Sequence, residues 1–320
     1  MIAIAGAGAF GTALAISMSQ TGTAVTFWGR DSAAVAQMQT LRENRRHLPG
    51  VLFPPSIRLT AQLGDLAEAA AILLVIPAQQ IGSFAAENAA LLSGKTLVSC
   101  AKGLDIASLQ SPTTLLSLSC PGSIVAALTG PSFATDIARG LPTALALACT
   151  DAAVAHDLQQ LLSTPNLRLY RTDDVTGAEF GGALKNVIAI AAGLVIGAGL
   201  GDSARAALMT RGQAEVARLA MALGARAETL AGLSGFGDLV LTCTSAQSRN
   251  FRQGLALGAG TEPDPGKTVE GAATARATTA LAHKLGIEMP ISAMVAAVLD
   301  AKVTVQEAAL ALLSRPLKQE

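Results

Sequence analysis

Residues 2–12 read Ile2-Ala3-Ile4-Ala5-Gly6-Ala7-Gly8-Ala9-Phe10-Gly11-Thr12, and a helix-like stretch from Thr12 to Gln20 follows at once. In a strand, a Gly-x-Gly-x-x-Gly turn and a helix in that order, each glycine has its own physical task. Gly6 permits the tight turn, Gly8 lets backbone approach a pyrophosphate, and Gly11 lets helix pack on strand, while the helix N-terminus faces the anion. An ordinary glycine-rich turn would need neither the strand before it nor the helix after it. The stretch predicts the opening unit of a dinucleotide-binding sheet.

The alternation continues. Short β-rich runs at 1–5, 24–28, 71–76, 96–101, 124–129, 143–148 and 167–170 are separated by helix-like stretches, which implies crossover units and a largely parallel sheet covered on both faces. After Asp173 the strand-like runs stop. Thr176-Gly-Ala-Glu179 has the spacing of a capping box and is expected to open an apolar helix running to about Gly197. A second helical pattern runs from Ser203 to about Leu223, and helical segments fill the remainder, broken at 232–237 and 261–266. The expected fold class is α/β: an N-terminal Rossmann-like doubly wound sheet over 1–175 that binds the dinucleotide, and a C-terminal all-α domain over 176–320 for substrate and catalysis.

Composition narrows the partners. With 51% apolar residues, 320 residues can bury a large core. Lys+Arg and Asp+Glu are both 23, and no basic stripe with interleaved aromatics offers a track for a nucleic-acid backbone. The apolar stretch 1–19 lacks the positively charged start of a secretory signal. The run 187–200 is shorter than the roughly 20 residues of a membrane span and reads as a buried core helix. Cys100, Cys120, Cys149 and Cys243 lie far apart with no C-x-x-C pair, which argues against zinc and fits reduced, packed thiols in the cytoplasm.

The second strand ends Phe27-Trp28-Gly29-Arg30-Asp31. An acid is expected near here for a ribose hydroxyl, but Arg30 comes first, and an arginine can pair bidentately with a 2′-phosphate. NADPH is favoured on that ground; Asp31 keeps NADH open, and Arg30 as a plain solvated charge is the bland alternative.

Hydride transfer at an alcohol carbon needs a group that exchanges the hydroxyl proton. His47, His156 and His283 stand without an obvious partner carboxylate and read as structural or exposed. Lys185, in Phe180-Gly-Gly-Ala-Leu-Lys185-Asn186-Val, is surrounded by so little polarity that it must either snorkel or pair. Burial would lower its pKa towards the range useful for proton exchange. Lys102 emerges after the strand at 97–101, and Gly130-Pro131-Ser132-Phe133-Ala134 follows the strand at 124–129, both at carboxyl ends where ligands bind in open sheets. Gly235-Phe-Gly237-Asp238 places a carboxylate after a glycine turn, with a helix N-cap as its innocent reading. Ser248-Arg249-Asn250 gathers a hydroxyl, a guanidinium and an amide, a set suited to a phosphate dianion and equally common on a solvated helix face.

Taken in order, the stretches 6–15, 44–50, 101–105, 129–147, 181–193, 235–250, 269–271 and 288–291 resemble the bacterial NAD(P)-dependent glycerol-3-phosphate dehydrogenase family along nearly the whole chain. The resemblance implies that Lys185 accepts the proton of the glycerol 3-phosphate hydroxyl and donates it when dihydroxyacetone phosphate is reduced, with Asp238 beside it. It implies substrate contacts from Lys102, Gly130, Ser132, Asp238, Ser248, Arg249 and Asn250. On the cofactor side it implies Phe10, Arg30, His47, Lys102, Ala134, Arg249, Val269 and Glu270. His47 stands where family members often carry an aromatic residue, and 262–267 is a shortened loop before Thr268-Val269-Glu270. The resemblance further implies a cytoplasmic enzyme that supplies the glycerol backbone of phospholipids, and a homodimer through the second domain is a further expectation. Rival readings are another two-domain dehydrogenase, of hydroxyacyl-CoA or phosphogluconate type, and a non-catalytic dinucleotide sensor.

Overall fold

The computed structural model describes residues 1–263 and 269–314. By its internal contacts the chain divides into two units, one of Met1–Lys102 with Gln110–Glu179, the other of Gly103–Leu109 with Phe180–Glu320.

The first unit alternates strands and helices: β1 (Ile2–Ala5), α1 (Ala9–Ser19), β2 (Val25–Trp28), α2 (Ser32–Leu41), β3 (Ile57–Thr60), β4 (Ala71–Leu74), α3 (Ala78–Glu87), α4 (Ala89–Leu92), β5 (Thr96–Ser99), α5 (Pro112–Ser119), β6 (Ile124–Thr129), α6 (Ala134–Ala138), β7 (Thr143–Ala148), α7 (Ala152–Leu162) and β8 (Leu167–Thr172). Among the described residues eight strands form one sheet in the order β3-β2-β1-β4-β5-β6-β7-β8. The first six follow the doubly wound dinucleotide-binding order. All pairs are parallel except β6 with β7. One face is covered by α1, α2, α6 and α7, through side chains such as Leu14, Val35, Ile137 and Leu158. The other is covered by α3, α4 and α5 through Ile81, Leu92 and Leu116. This two-sided burial explains why the central strands are apolar without alternation.

Two sequence expectations change here. Strand β3 was not anticipated: it is four residues long, lies at the sheet edge beside β2 only, follows Pro54-Pro55, and carries Arg58 on an exposed position. Helix α1 begins at Ala9, three residues before the expected Thr12, because Gly8 is its N-cap and Phe10 and Gly11 already have helical conformation.

The second unit is helical: α8 (Val175–Gly197), α9 (Gly201–Ala222), α10 (Ala227–Ala231), α11 (Asp238–Thr244), α12 (Arg249–Gly258), α13 (Glu270–Leu285), α14 (Pro290–Leu299) and α15 (Val305–Leu313), with a single wide turn, Leu233–Gly237, of π type before α11. Of the expected break at 261–266 and the loop 262–267, only 261–263 lie among the described residues.

Helix α8, whose first turn groups with the first unit, is the central element of the second. With 23 residues and a mean hydropathy of 1.7 in its most apolar window it is long enough to pass for a membrane span, but 83% of that window is buried inside the fold. The helix ends at Gly197, as expected, and the run at 187–200 forms its largely buried second half up to that residue. The start of the helix departs from expectation. Asp174, not Thr176, caps it, its Oδ1 accepting from Gly177 N at 2.7 Å. Glu179 does not reach back to close a capping box; its carboxylate accepts from the backbone N–H and hydroxyl of Thr113 at the start of α5. Burial pushes the Glu179 carboxyl above its ordinary range against the pull of these donors. Glu215 on α9 plays a comparable part in the helical unit, its carboxylate accepting from Ile291 N and Ser292 N at the start of α14.

Candidate active site

In the first unit, the glycine turn has the geometry a dinucleotide needs. Gly6 has φ +132°, and a Cβ there would lie 2.1 Å from the carbonyl oxygen of Val75. At Gly11 a Cβ would lie 2.2 Å from the carbonyl of Gly6, so helix and turn touch without side chains between them. A methyl at Gly8 would meet nothing within 4 Å. No side chain caps the N-terminus of α1 and no acidic residue lies in its first turn, so backbone N–H groups and the helix dipole face that open side. The arrangement fits a pyrophosphate. Phe10, in the first turn, is half-buried against the core beneath.

The loop after α2 is tied to this turn. Asn44 is buried, and its Nδ2 donates to Ala7 O at 2.9 Å and to Thr12 Oγ1 at 2.8 Å. His47, exposed, follows in the same loop, its backbone N–H donating to Asn44 O. Arg30 is exposed just beyond β2. Asp31 is the N-cap of α2, its Oδ1 accepting from Ala33 N and Ala34 N at 3.0 and 3.1 Å. The acid considered for the ribose is thus engaged in capping, whereas the neighbouring guanidinium projects from the strand end.

At the carboxyl ends of β5 and β6, parallel neighbours in the sheet, Lys102 Nζ donates to Gly130 O at 3.0 Å, and Ser132 Oγ donates to the same carbonyl at 3.3 Å. Lys102 and the Gly130–Ala134 stretch, two separate features of the sequence, therefore meet in one hydrogen-bonded group. Ala134 opens α6 directly after.

In the second unit, Lys185 is 7% exposed and Asp238 is fully buried. Lys185 Nζ lies 2.7 Å from Asp238 Oδ1. It donates a second hydrogen bond, also 2.7 Å, to Thr242 Oγ1, whose own proton goes to the carbonyl of Asp238 at 2.6 Å. The lysine pairs; it does not snorkel. Asp238 is the first residue of α11 and Thr242 lies one turn on, the spacing that puts both on one helix face. Asp238 is not an N-cap: Gly237 holds that position. Cys243 follows Thr242 in the same dry surroundings, and burial pushes its thiol, like that of Cys100, up to about 12. Both remain protonated near neutral pH.

Ser248 caps α12, its Oγ accepting from Phe251 N at 3.2 Å. Arg249 follows as the first helical residue and is exposed. Asn250 Nδ2 donates to Asn186 Oδ1 at 2.9 Å, and Asn186 is the residue after Lys185. Further along, α8 and α12 touch backbone to backbone: a Cβ on Gly254 would lie 2.0 Å from Ile190 O, and one on Gly193 2.1 Å from Phe251 O. This contact holds the start of α12, with its guanidinium and amide, beside the part of α8 that carries Lys185. Val269 and Glu270 form the N-cap and first turn of α13. Thr242 and Asn186 were not singled out from the sequence. Only their partners, 57 and 64 residues away in the chain, distinguish them from ordinary helix residues.

Comparison with known proteins fits this geometry. Residues 1–155 match the model of the NAD-dependent glycerol-3-phosphate dehydrogenase N-terminus, and residues 174–310 match that of its C-terminus. The chain is 60% identical over 319 residues to a glycerol-3-phosphate dehydrogenase [NAD(P)+] of Paracoccus denitrificans, covering 100% of this chain and 99% of that one. It is 58% identical, over the full length of both, to the enzyme of the same name in Cereibacter sphaeroides. Among solved structures it superposes on glycerol-3-phosphate dehydrogenase from Coxiella burnetii with a TM-score of 0.94 and 38% identity, covering 98% of each chain. With both family models matched in order and relatives aligned from end to end, the chain belongs to the NAD-dependent glycerol-3-phosphate dehydrogenase family.

Proposed function

We propose that this protein interconverts dihydroxyacetone phosphate and sn-glycerol 3-phosphate with NADPH or NADH, and that Lys185 exchanges the proton. The observation that carries the reading is the buried Lys185–Asp238 pair in a chain related to these dehydrogenases over its whole length. When bound, the reduced nicotinamide supplies the hydride. In that direction Lys185 Nζ donates a proton to the carbonyl oxygen of C2 as it becomes a hydroxyl; in the other it takes the hydroxyl proton back. Asp238 and Thr242 hold Nζ in one place, and Asp238 stabilises the ammonium form that must be regenerated in each turnover. Arg249 and Asn250 hold the substrate phosphate by charge-assisted hydrogen bonds, with the Ser248 hydroxyl alongside. Lys102, Gly130 and Ser132 complete the substrate contacts. For the dinucleotide, Gly6, Gly8, Phe10 and Gly11 cradle the pyrophosphate, with further contacts from Arg30, His47, Lys102, Ala134, Arg249, Val269 and Glu270.

Supply of glycerol 3-phosphate for phospholipid synthesis is the cellular role in this reading. It includes a cytoplasmic location, which the four buried free thiols support, and a homodimer formed through the helical unit. The decisive assay is NADPH oxidation with dihydroxyacetone phosphate. Turnover is expected; none at all would favour a dinucleotide sensor, and turnover with a different carbonyl compound only would favour another dehydrogenase of the same architecture.

NADPH is the favoured coenzyme in this reading, because Asp31 is engaged in capping α2 while Arg30 stands exposed at the strand end. Arg30→Ala should raise the KM for NADPH about tenfold, the worth of one charge-assisted hydrogen bond, and leave that for NADH within a factor of about two. A wild-type enzyme that strongly prefers NADH at low coenzyme concentration would defeat the assignment.

A further inference from the structure

We propose that Gly271 is a positioning residue for phosphate recognition: its backbone N–H and its missing side chain lock the Asn250 amide so that the NH2 end, not the oxygen, is offered to the substrate. This rests on the reading of Asn250 as a substrate contact given above.

The lock has two contacts of opposite polarity. Asn250 Oδ1 accepts from Gly271 N at 3.0 Å, and Asn250 Nδ2 donates to Asn186 Oδ1 at 2.9 Å. A side-chain amide can be turned over, and two facing amides can turn over together, so the Asn186–Asn250 contact alone would not fix which end points where. A backbone N–H has no such freedom. With Gly271 N–H as a fixed donor, the oxygen of Asn250 must face it, Nδ2 must face the other way, and Asn186 must present its oxygen. One N–H of Asn250 is then committed to Asn186, and the other is the donor that the amide has left, on the residue that follows Arg249 in the chain.

The approach needs glycine. A Cβ on residue 271 would lie 2.6 Å from Asn250 Oδ1, 2.8 Å from the carbonyl of Asn186 and 2.8 Å from Ile190 Cδ1. None of the three can give way freely: Asn186 O is backbone of the core helix α8, Ile190 is fully buried, and Asn250 Oδ1 is held by the bond in question. Together with the Arg249 guanidinium, which has no acceptor, the orientation presents an oxyanion with N–H donors from both residues. Such a subsite favours a phosphate with all its oxygens available as acceptors.

The test compares three variants with wild type, all as holoenzyme, using dihydroxyacetone phosphate as substrate and inorganic phosphate as a competitive probe whose binding is also read by calorimetry. G271A should raise the KM and the phosphate inhibition constant together by about tenfold, lower kcat by less than about threefold, and leave coenzyme affinity by fluorescence within about twofold. The double variant N250A/G271A should bind phosphate no more weakly than N250A, because Gly271 acts through Asn250. N250D keeps an acceptor for Gly271 N–H but replaces the donor end with a carboxylate oxygen, and should abolish phosphate binding. The proposal is overturned if G271A lowers kcat as much as it raises KM, if the costs of N250A and G271A add, or if N250D binds phosphate like wild type. Should G271A fail to fold, N250D decides alone, since it adds no bulk. Absence of wild-type turnover would defeat the functional reading, while phosphate calorimetry would still report on the lock.

Discussion

Lys185→Ala is expected to lower kcat by a factor on the order of 10²–10⁴, the usual contribution of a positioned acid–base group, while coenzyme binding stays near wild type. The size of the effect follows from the surroundings of Nζ. The pair with Asp238 is buried on both sides, 8% and 0% exposed by side chain, so no bulk water takes over the proton transfer at that position. The same burial predicts a second loss. Removing the ammonium takes the paired cation away from the buried Asp238 carboxylate, and breaking one half of a buried pair costs about 3–5 kcal/mol. Loss of activity could then be read as loss of fold, so a paired variant is needed. Lys185→Met combined with Asp238→Asn removes both charges together, and should recover most of the thermal stability with none of the activity. Measurement of kcat, coenzyme affinity and Tm on the three proteins separates chemistry from folding. A Lys185→Ala enzyme that turns over at the wild-type rate would remove this residue from the mechanism.

What the sequence could disclose of this arrangement depended on how local each signal is. The glycine turn was legible because its requirements lie within six residues: a positive φ at Gly6 and a contact between Gly11 and the carbonyl of Gly6. Lys185 stood out for a different reason, since an ammonium in an apolar helix has few affordable environments. Its partner did not stand out. Asp238 lies 53 residues away, and Gly-Phe-Gly-Asp reads equally as a helix cap until the fold brings it to Nζ. Thr242 and Asn186 carry no signal of their own, because threonine and asparagine are frequent on helices and only a distant partner gives them a task. The capping box at Thr176 and Glu179 was misread on the same principle: the spacing is right, but a carboxylate takes the better donors, and the better donors of Glu179 are on Thr113, 66 residues away. Strand β3 escaped because Pro54-Pro55 before it and Arg58 within it mimic a loop, whereas an edge strand needs only one apolar face and one neighbour.

Arg249→Ala should act on binding more than on chemistry, with a rise of roughly 100-fold in the KM for dihydroxyacetone phosphate, as loss of a bidentate, charge-assisted pair of about 3 kcal/mol requires. Three features of its position support so large an effect. Arg249 is the first helical residue of α12, where the helix dipole already favours an anion, so the guanidinium and the backbone pull in the same direction. The side chain is exposed, so nothing within the fold has to be released before it engages a phosphate. And the start of α12 is fixed against α8 by the contacts of Gly193 and Gly254 and by the Asn250–Asn186 bond, so the anchor stands at a set distance from the lysine one residue before Asn186. Arg249→Lys discriminates charge from geometry: a point charge keeps the long-range attraction but loses the fork, and should recover only part of the KM. Raised ionic strength should weaken wild-type binding more than that of Arg249→Ala, since the screened interaction is absent from the variant. If KM is unchanged in Arg249→Ala, the phosphate is held elsewhere, and the basic residue beside Gly130, Lys102, becomes the anchor to test.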